Sequence, residues 1–178
     1  MPQAVTHVLA SAIAASVIRD KNKKDKKKFP LHYVLISGLA GLLPDLDVIA
    51  FWVLYFFGFT IEEVHRSFTH TIFIPLIFLA LYFTFAKIKI SELGRHKLKL
   101  NIIFLMFALG SFIHIILDAI FAGKIMPFFP LSNYSFGLNI IRYLPITLSK
   151  IAMPSLDAVL LIIWIIYLEV KHKISDFI

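Results

Sequence analysis

From Leu100 to Phe121 the only side chains that can carry a charge are His114 and Asp118. An apolar run of that length matches the roughly 20 residues a helix needs to cross a bilayer. It constrains the whole chain, because a soluble domain of this size could not hide so much apolar surface. Hydrophobic residues make up 59% and charged residues 16% of the 178, against about 45–50% and about 25% in soluble domains. Four further apolar stretches run from Ala4 to Ile18, Leu31 to Phe59, Thr69 to Ala86 and Pro154 to Val170. The second is too long for one straight span and is interrupted by Pro44-Asp45-Leu46-Asp47. Proline inside a helix removes a hydrogen bond and clashes with the preceding turn, so the break predicts one helix ending there and a half-helix from Val48 to Phe59. The expected fold is all-α, a polytopic membrane helical bundle of about five spans plus a re-entrant or interfacial half-helix, forming a single domain over residues 1–178.

The basic residues set an expected orientation. Of the 18 Lys and Arg, seven lie between Arg19 and Lys28, five between Lys87 and Lys99, and two after Val170. The other four are Arg66, Lys124, Arg142 and Lys150. The positive-inside rule then predicts an inner-membrane protein with its N-terminus outside and its C-terminus inside. Net charge +7 could also suit nucleic acid, but the charges sit in short runs between apolar segments, so the expected partner is the lipid bilayer, not nucleic acid. Positive charge follows the first apolar stretch instead of preceding it, the reverse of a secretory signal, so that stretch is expected to remain in the protein. The segment from Ala122 to Met153, rich in Pro and aromatics, is expected to form an interfacial cap or lid.

Ionisable groups at membrane depth are expensive and mark function by default. The candidates are His7, Asp45, Asp47, His65, His70, His114 and Asp118, with Asp157 weaker. Counted from the basic end of each span at 1.5 Å per residue, His7 lies about 18 Å up, Asp45 and His70 about 25 Å, His114 about 22 Å and Asp157 about 21 Å. Distant segments thus deliver His and Asp to one layer in the outer half of the membrane. The chain has no cysteine, which excludes disulfides and thiolate ligands and leaves nitrogen and oxygen donors for any metal.

Each motif also has a plainer reading. His114 and Asp118, four apart, share a helix face and suit a metal ligand with its orienting carboxylate, or a hydrogen-bonded pair between helices. Asp47 could cap the half-helix, which leaves Asp45 unexplained. His65 and His70 fit a turn leading into a helix, with Ser67 or Thr69 as N-cap. Arg66, between them, carries a planar guanidinium suited to phosphate or carboxylate. Asp157 in the first turn after Pro154 would complement a helix dipole. His32, His96 and His172 lie beside basic ends and are assigned no chemistry.

In this order, Thr6-His7, Pro44-Asp45-Leu46-Asp47, His65-Arg66-Ser67-Phe68-Thr69-His70 and His114-Ile115-Ile116-Leu117-Asp118 resemble the YdjM-like family of inner-membrane metal-dependent hydrolases. A more distant similarity links them to zinc-dependent phospholipase C, which also gathers an early His and several His/Asp ligands on helices. The resemblance implies a hydrolase with His7, Asp45, Asp47, His65, His70, His114 and Asp118 at its site. Its cofactor would be a divalent metal, Zn2+ first, as one ion or more. The expected reaction is hydrolysis of a phosphoester or related bond in a lipid-like substrate at the outer face, with Asp47 or Asp118 as base or ligand-orienting group and Arg66 on the anionic head. The alternative is a non-enzymatic membrane protein handling metal ions or protons. The inner halves of the helices read as wholly apolar, which favours a one-sided site over a conduit.

Overall fold

The computed structural model describes residues 4–21, 29–65, 68–88, 93 and 97–172. Its helices are α1 (Ala4–Lys21), α2 (Leu31–Ala40), α3 (Asp47–Leu54), the single turn α4 (Ile61–Val64), α5 (Phe73–Lys87), α6 (Leu100–Leu117) and α7 (Ile146–His172). Short 3-10 turns cover Pro44–Leu46, Tyr55–Phe57 and Ile140–Tyr143, and a π-turn extends α6 over Asp118–Ala122. Among the described residues extended pairing is limited to two isolated bridges, Leu93 with Leu98 and Ile125 with Phe136. The all-α expectation holds.

The packing has the inside-out size distribution of a membrane bundle. The buried face of α1 consists of Thr6, His7, Leu9, Ser11, Ala12, Ala15 and Ser16, whereas Leu35, Leu39, Ile162 and Ile166 are exposed. Lipid tails are as apolar as leucine, so helices in a membrane associate through small residues that permit close approach. Helix α6 is the hub, packing against α1, α2 and α5. A Cβ on Gly110 would lie 2.5 Å from the Ser37 carbonyl oxygen and 2.6 Å from the Ala40 Cβ. One on Gly41 would lie 2.7 Å from the His7 carbonyl oxygen. Glycine at these two positions lets α1, α2 and α6 meet backbone to backbone.

One end of the bundle is basic. The Arg19 Nε–H donates to the Phe29 carbonyl at 2.9 Å, and the Lys99 backbone N–H to the Tyr33 hydroxyl at 2.6 Å. The Tyr167 hydroxyl donates to Asp20 at 2.5 Å, and His172 lies 3.1 Å from the same oxygen. The ends of α1 and α7 and the starts of α2 and α6 therefore share one face, as the charge pattern predicts.

By length and apolarity, Leu100–Phe121 and Ile146–His172 can each cross a membrane, and α2 with the Pro44–Phe57 segment forms a third candidate bent by 49°. Helix α5 is apolar but short. Helix α1 spends its last turn on Arg19, Asp20 and Lys21. The break after α2 falls where Pro44-Asp45-Leu46-Asp47 predicts it. The last helix does not. It starts at Ile146, and Pro154 lies inside it. The irregular segment shrinks accordingly to residues 123–145, and Asp157 leaves the first turn. The helix-dipole reading of Asp157 is thereby corrected: buried, it accepts a hydrogen bond from the Thr6 hydroxyl. Nor are the inner halves wholly apolar, since the hydroxyls of Ser11, Ser16 and Ser37 are buried at the helix interfaces.

The crossing at Gly110 yields a stability prediction. Overpacking a tight contact costs about 1–3 kcal/mol, so Gly110→Ala is expected to lower the thermal midpoint in detergent, whereas Leu35→Ala, on an exposed side chain, changes it little. Equal midpoints for Gly110→Ala and the parent would contradict the close crossing.

Candidate metal centre

Four separate segments build one polar cluster. Helix α6 presents His114 and, one turn on, Asp118 at the start of the π-turn that extends it. The Pro44 break presents Asp45 on a 3-10 turn and Asp47 as the first residue of α3. The turn between α4 and α5 carries His65 and His70, closed by the Thr71 hydroxyl donating to the Phe68 carbonyl at 3.1 Å. Helix α1 adds His7 from its first turns. His7, Asp47, His70, His114 and Asp118 are buried. The Asp45 side chain is 32% exposed, which makes it the mouth of the cluster.

Hydrogen bonds fix which ring nitrogens face inward, the tautomers being assigned from their partners. His114 Nδ1 lies 2.7 Å from the Gly41 carbonyl oxygen. A carbonyl only accepts, so Nδ1 carries the proton and Nε2 of the neutral ring presents a lone pair. The Thr69 hydroxyl donates to Asp47 Oδ2 at 2.9 Å and lies 3.1 Å from His70 Nδ1. Its hydrogen being committed to Asp47, it accepts from Nδ1–H, so that in the neutral ring His70 Nε2 also presents a lone pair. These two Nε2 atoms stand 3.1 Å apart. Two lone pairs so close repel unless a proton or a cation lies with them.

Two carboxylates flank these nitrogens. Asp45 Oδ1 is 3.5 Å from each of these two nitrogens. Asp118 Oδ2 is 3.4 Å from His70 Nε2 and 3.8 Å from His114 Nε2. Charge-assisted hydrogen bonds are about 2.7–2.9 Å. Ligands at 2.0–2.2 Å from a tetrahedral zinc are separated by about 3.3–3.6 Å, a range that holds three of these four contacts, the Asp118–His114 distance of 3.8 Å lying just beyond it. The buried His/Asp group can hold a metal ion, and His70, His114 and Asp118 offer atoms within 4.8 Å of one another, as do Asp45, His65 and His70, and His7, Asp45 and His114.

Asp47 plays a different part. Its Oδ1 accepts from His65 Nδ1 at 3.0 Å, while Oδ2 takes the Thr69 hydroxyl and lies 3.4 Å from His70 Nδ1. A carboxylate on the outer nitrogen of a ligating imidazole fixes its orientation and basicity. Thr69, expected to cap α5, instead links Asp47 to His70; the residue at the N-cap of α5 is Ile72.

The structure thus brings together His7, Asp45, Asp47, His65, His70, His114 and Asp118, and leaves Asp157 on Thr6. Arg66 and Ser67 lie outside the described residues. Residues 123–145 cover the turn that carries His70: the Ile72 N–H donates to the Pro127 carbonyl at 2.9 Å, and the rings of Phe68 and Phe129 meet edge to face at 4.9 Å. Sequence reasoning missed the Gly41 carbonyl, the true role of Thr69, and the Thr6–Asp157 bond. Thr6 had a signal in its place beside His7, and Thr69 in its place beside His70. A backbone carbonyl has none.

If Thr69 orients His70, Thr69→Val should weaken metal binding by about 10–100-fold, as loss of such outer partners does, with little change in helix content. Metal titration of the purified variant checks this; parent-like affinity would remove Thr69 from the site.

Residues 1–174 match the family described as YdjM inner membrane protein. No curated protein and no solved structure matches the chain. With nearly its whole length inside that match, the chain belongs to the YdjM inner membrane protein family.

Proposed function

We propose that this protein is a metal-dependent hydrolase of the inner membrane, acting on a phosphoester or related bond of a lipid-linked substrate. The observation that carries the metal is the pair of inward ring nitrogens, His70 Nε2 and His114 Nε2, 3.1 Å apart with two carboxylates around them. The donor set of imidazoles and carboxylates suits zinc. A bound zinc supplies two things: a lowered pKa for a water and polarisation of the scissile group.

The chain's own residues do the rest. His70, His114, Asp45 and Asp118 hold the ion. Asp47 positions His65 and His70 through their Nδ1 atoms. Asp45, half-exposed, lies where a substrate head would arrive. Arg66, next to His65 in sequence, is the candidate partner for an anionic head. An apolar cavity of about 290 Å3 between the π-turn and α7, lined by residues such as Phe121, Ile141, Met153 and Leu156, begins one turn from Asp118 and suits an acyl chain. We further propose five crossings with the basic end in the cytoplasm and the centre at the outer face, which follows from the charge bias.

A second reading has its own support. Buried Ser11 and Ser16 lie on α1 between His7 and Asp20, and the Tyr167 hydroxyl, which donates to Asp20, also lies 3.2 Å from the Ser16 carbonyl oxygen. Such a line of hydroxyls suits a membrane protein that handles protons or metal ions.

Two outcomes are expected. Detergent-purified protein retains zinc, and His70→Ala or His114→Ala lowers its affinity by roughly tenfold or more; a parent that binds no metal ends both readings. Metal-loaded protein incubated with a membrane lipid extract yields a hydrolysed product seen by mass spectrometry, and Asp45→Asn yields none. An unchanged lipid profile together with zinc or proton flux into reconstituted liposomes would replace the hydrolase with the second reading.

A further inference from the structure

The two oxygens of Asp118 point to different imidazoles. Oδ2 faces His70 and His114, whereas Oδ1 lies 3.5 Å from His7 Nε2. That distance is beyond the usual N–H···O range of about 2.7–3.2 Å. It equals the distance of Asp45 from His70 and His114 at the first position. His7 is buried, and its Nδ1 has no hydrogen-bond partner among the described residues, so no contact there explains why an imidazole is held at this depth. Its ring stacks on that of His114, with centroids 3.7 Å apart and planes 20° apart. His7, Asp45 and His114 offer donor atoms within 4.8 Å of one another, which brings the Asp45 carboxylate within reach as well. The first position already has four donors without His7.

We propose that the centre takes two divalent cations, with Asp118 bridging them through its two oxygens and His7 serving the second. This rests on the metal-centre reading above. The first cation lies among His70, His114, Asp45 and Asp118 Oδ2. The second lies among His7 Nε2, Asp118 Oδ1 and Asp45, with sites left open for water or substrate. A carboxylate with one oxygen on each ion suits the spacing of about 3.5–4 Å found in two-metal sites that act on phosphate esters. His65 is the other flanking imidazole, held by Asp47 through Nδ1, and the test separates it from His7.

Full-length protein in detergent is loaded with Mn2+, desalted, and assayed for metal per chain and by electron paramagnetic resonance. The parent is expected to carry roughly two ions per chain with the broadened signal of exchange-coupled manganese. His7→Ala is expected to carry one, with the hyperfine pattern of an isolated ion. His7→Gln, which keeps a polar group of similar reach, serves if the alanine variant unfolds. His65→Ala is expected to keep both ions and the coupled signal. One uncoupled ion in the parent overturns this proposal and leaves the single-metal reading standing, whereas no ion at all overturns that reading itself. A coupled pair persisting in both folded His7 variants, or lost only in His65→Ala, equally overturns it.

Discussion

Hydrocarbon offers no water to a buried polar group, so His7, Asp47, His70, His114 and Asp118 can lie inside this bundle only by facing one another. That requires the helices bearing them to come close. Gly110 lets α6 touch the backbone of α2, and Gly41 lets the end of α2 touch the backbone of α1 at His7. The same crossing aims the Gly41 carbonyl at His114 Nδ1. One residue thus serves both packing and chemistry: its missing side chain admits α1, and its carbonyl fixes the tautomer that turns a lone pair toward His70.

Much of the site was legible because its cost is local. A His or Asp within an apolar stretch stands out one residue at a time, and counting turns from the basic ends places these residues in one layer without any knowledge of contacts. The hydrogen bonds of Arg19 to Phe29, Lys99 to Tyr33 and Tyr167 to Asp20 gather the basic ends as that counting assumes. What escaped were groups with no such cost. Thr69 sits in a polar turn, where a hydroxyl is unremarkable, and the Gly41 carbonyl has no signature in sequence. Pro154 misled for another reason. Proline commonly opens helices, yet membrane helices tolerate it internally, and α7 begins two turns earlier at Ile146.

Exposure divides the cluster into a mouth and a floor. Asp45 is partly exposed, while His70, His114 and Asp118 are sealed below it. Residues 123–145 fasten onto the His70 turn through Pro127 and Phe129. The expected lid is therefore shorter than the sequence suggested, and it is docked on the element that delivers a ligand. Displacing this covering would disturb the His70 turn directly, so the loop and the geometry of the polar cluster are mechanically joined.

Helix α7 leans on the rest of the protein through a few polar pins. Thr6 holds Asp157, and Asp20 holds Tyr167 and His172. Most of the remaining apolar length, including Ile162, Ile163, Ile165 and Ile166, is exposed. Pins on α1 near its two ends resist rolling of α7 about its own axis, while its middle is held by Trp164 packed against the core and otherwise faces acyl chains. A thinner or thicker bilayer strains such a helix before it strains the tightly crossed α1, α2 and α6. The wall of the cavity beside Asp118 would then change its shape with the membrane, while the imidazoles beneath it keep theirs.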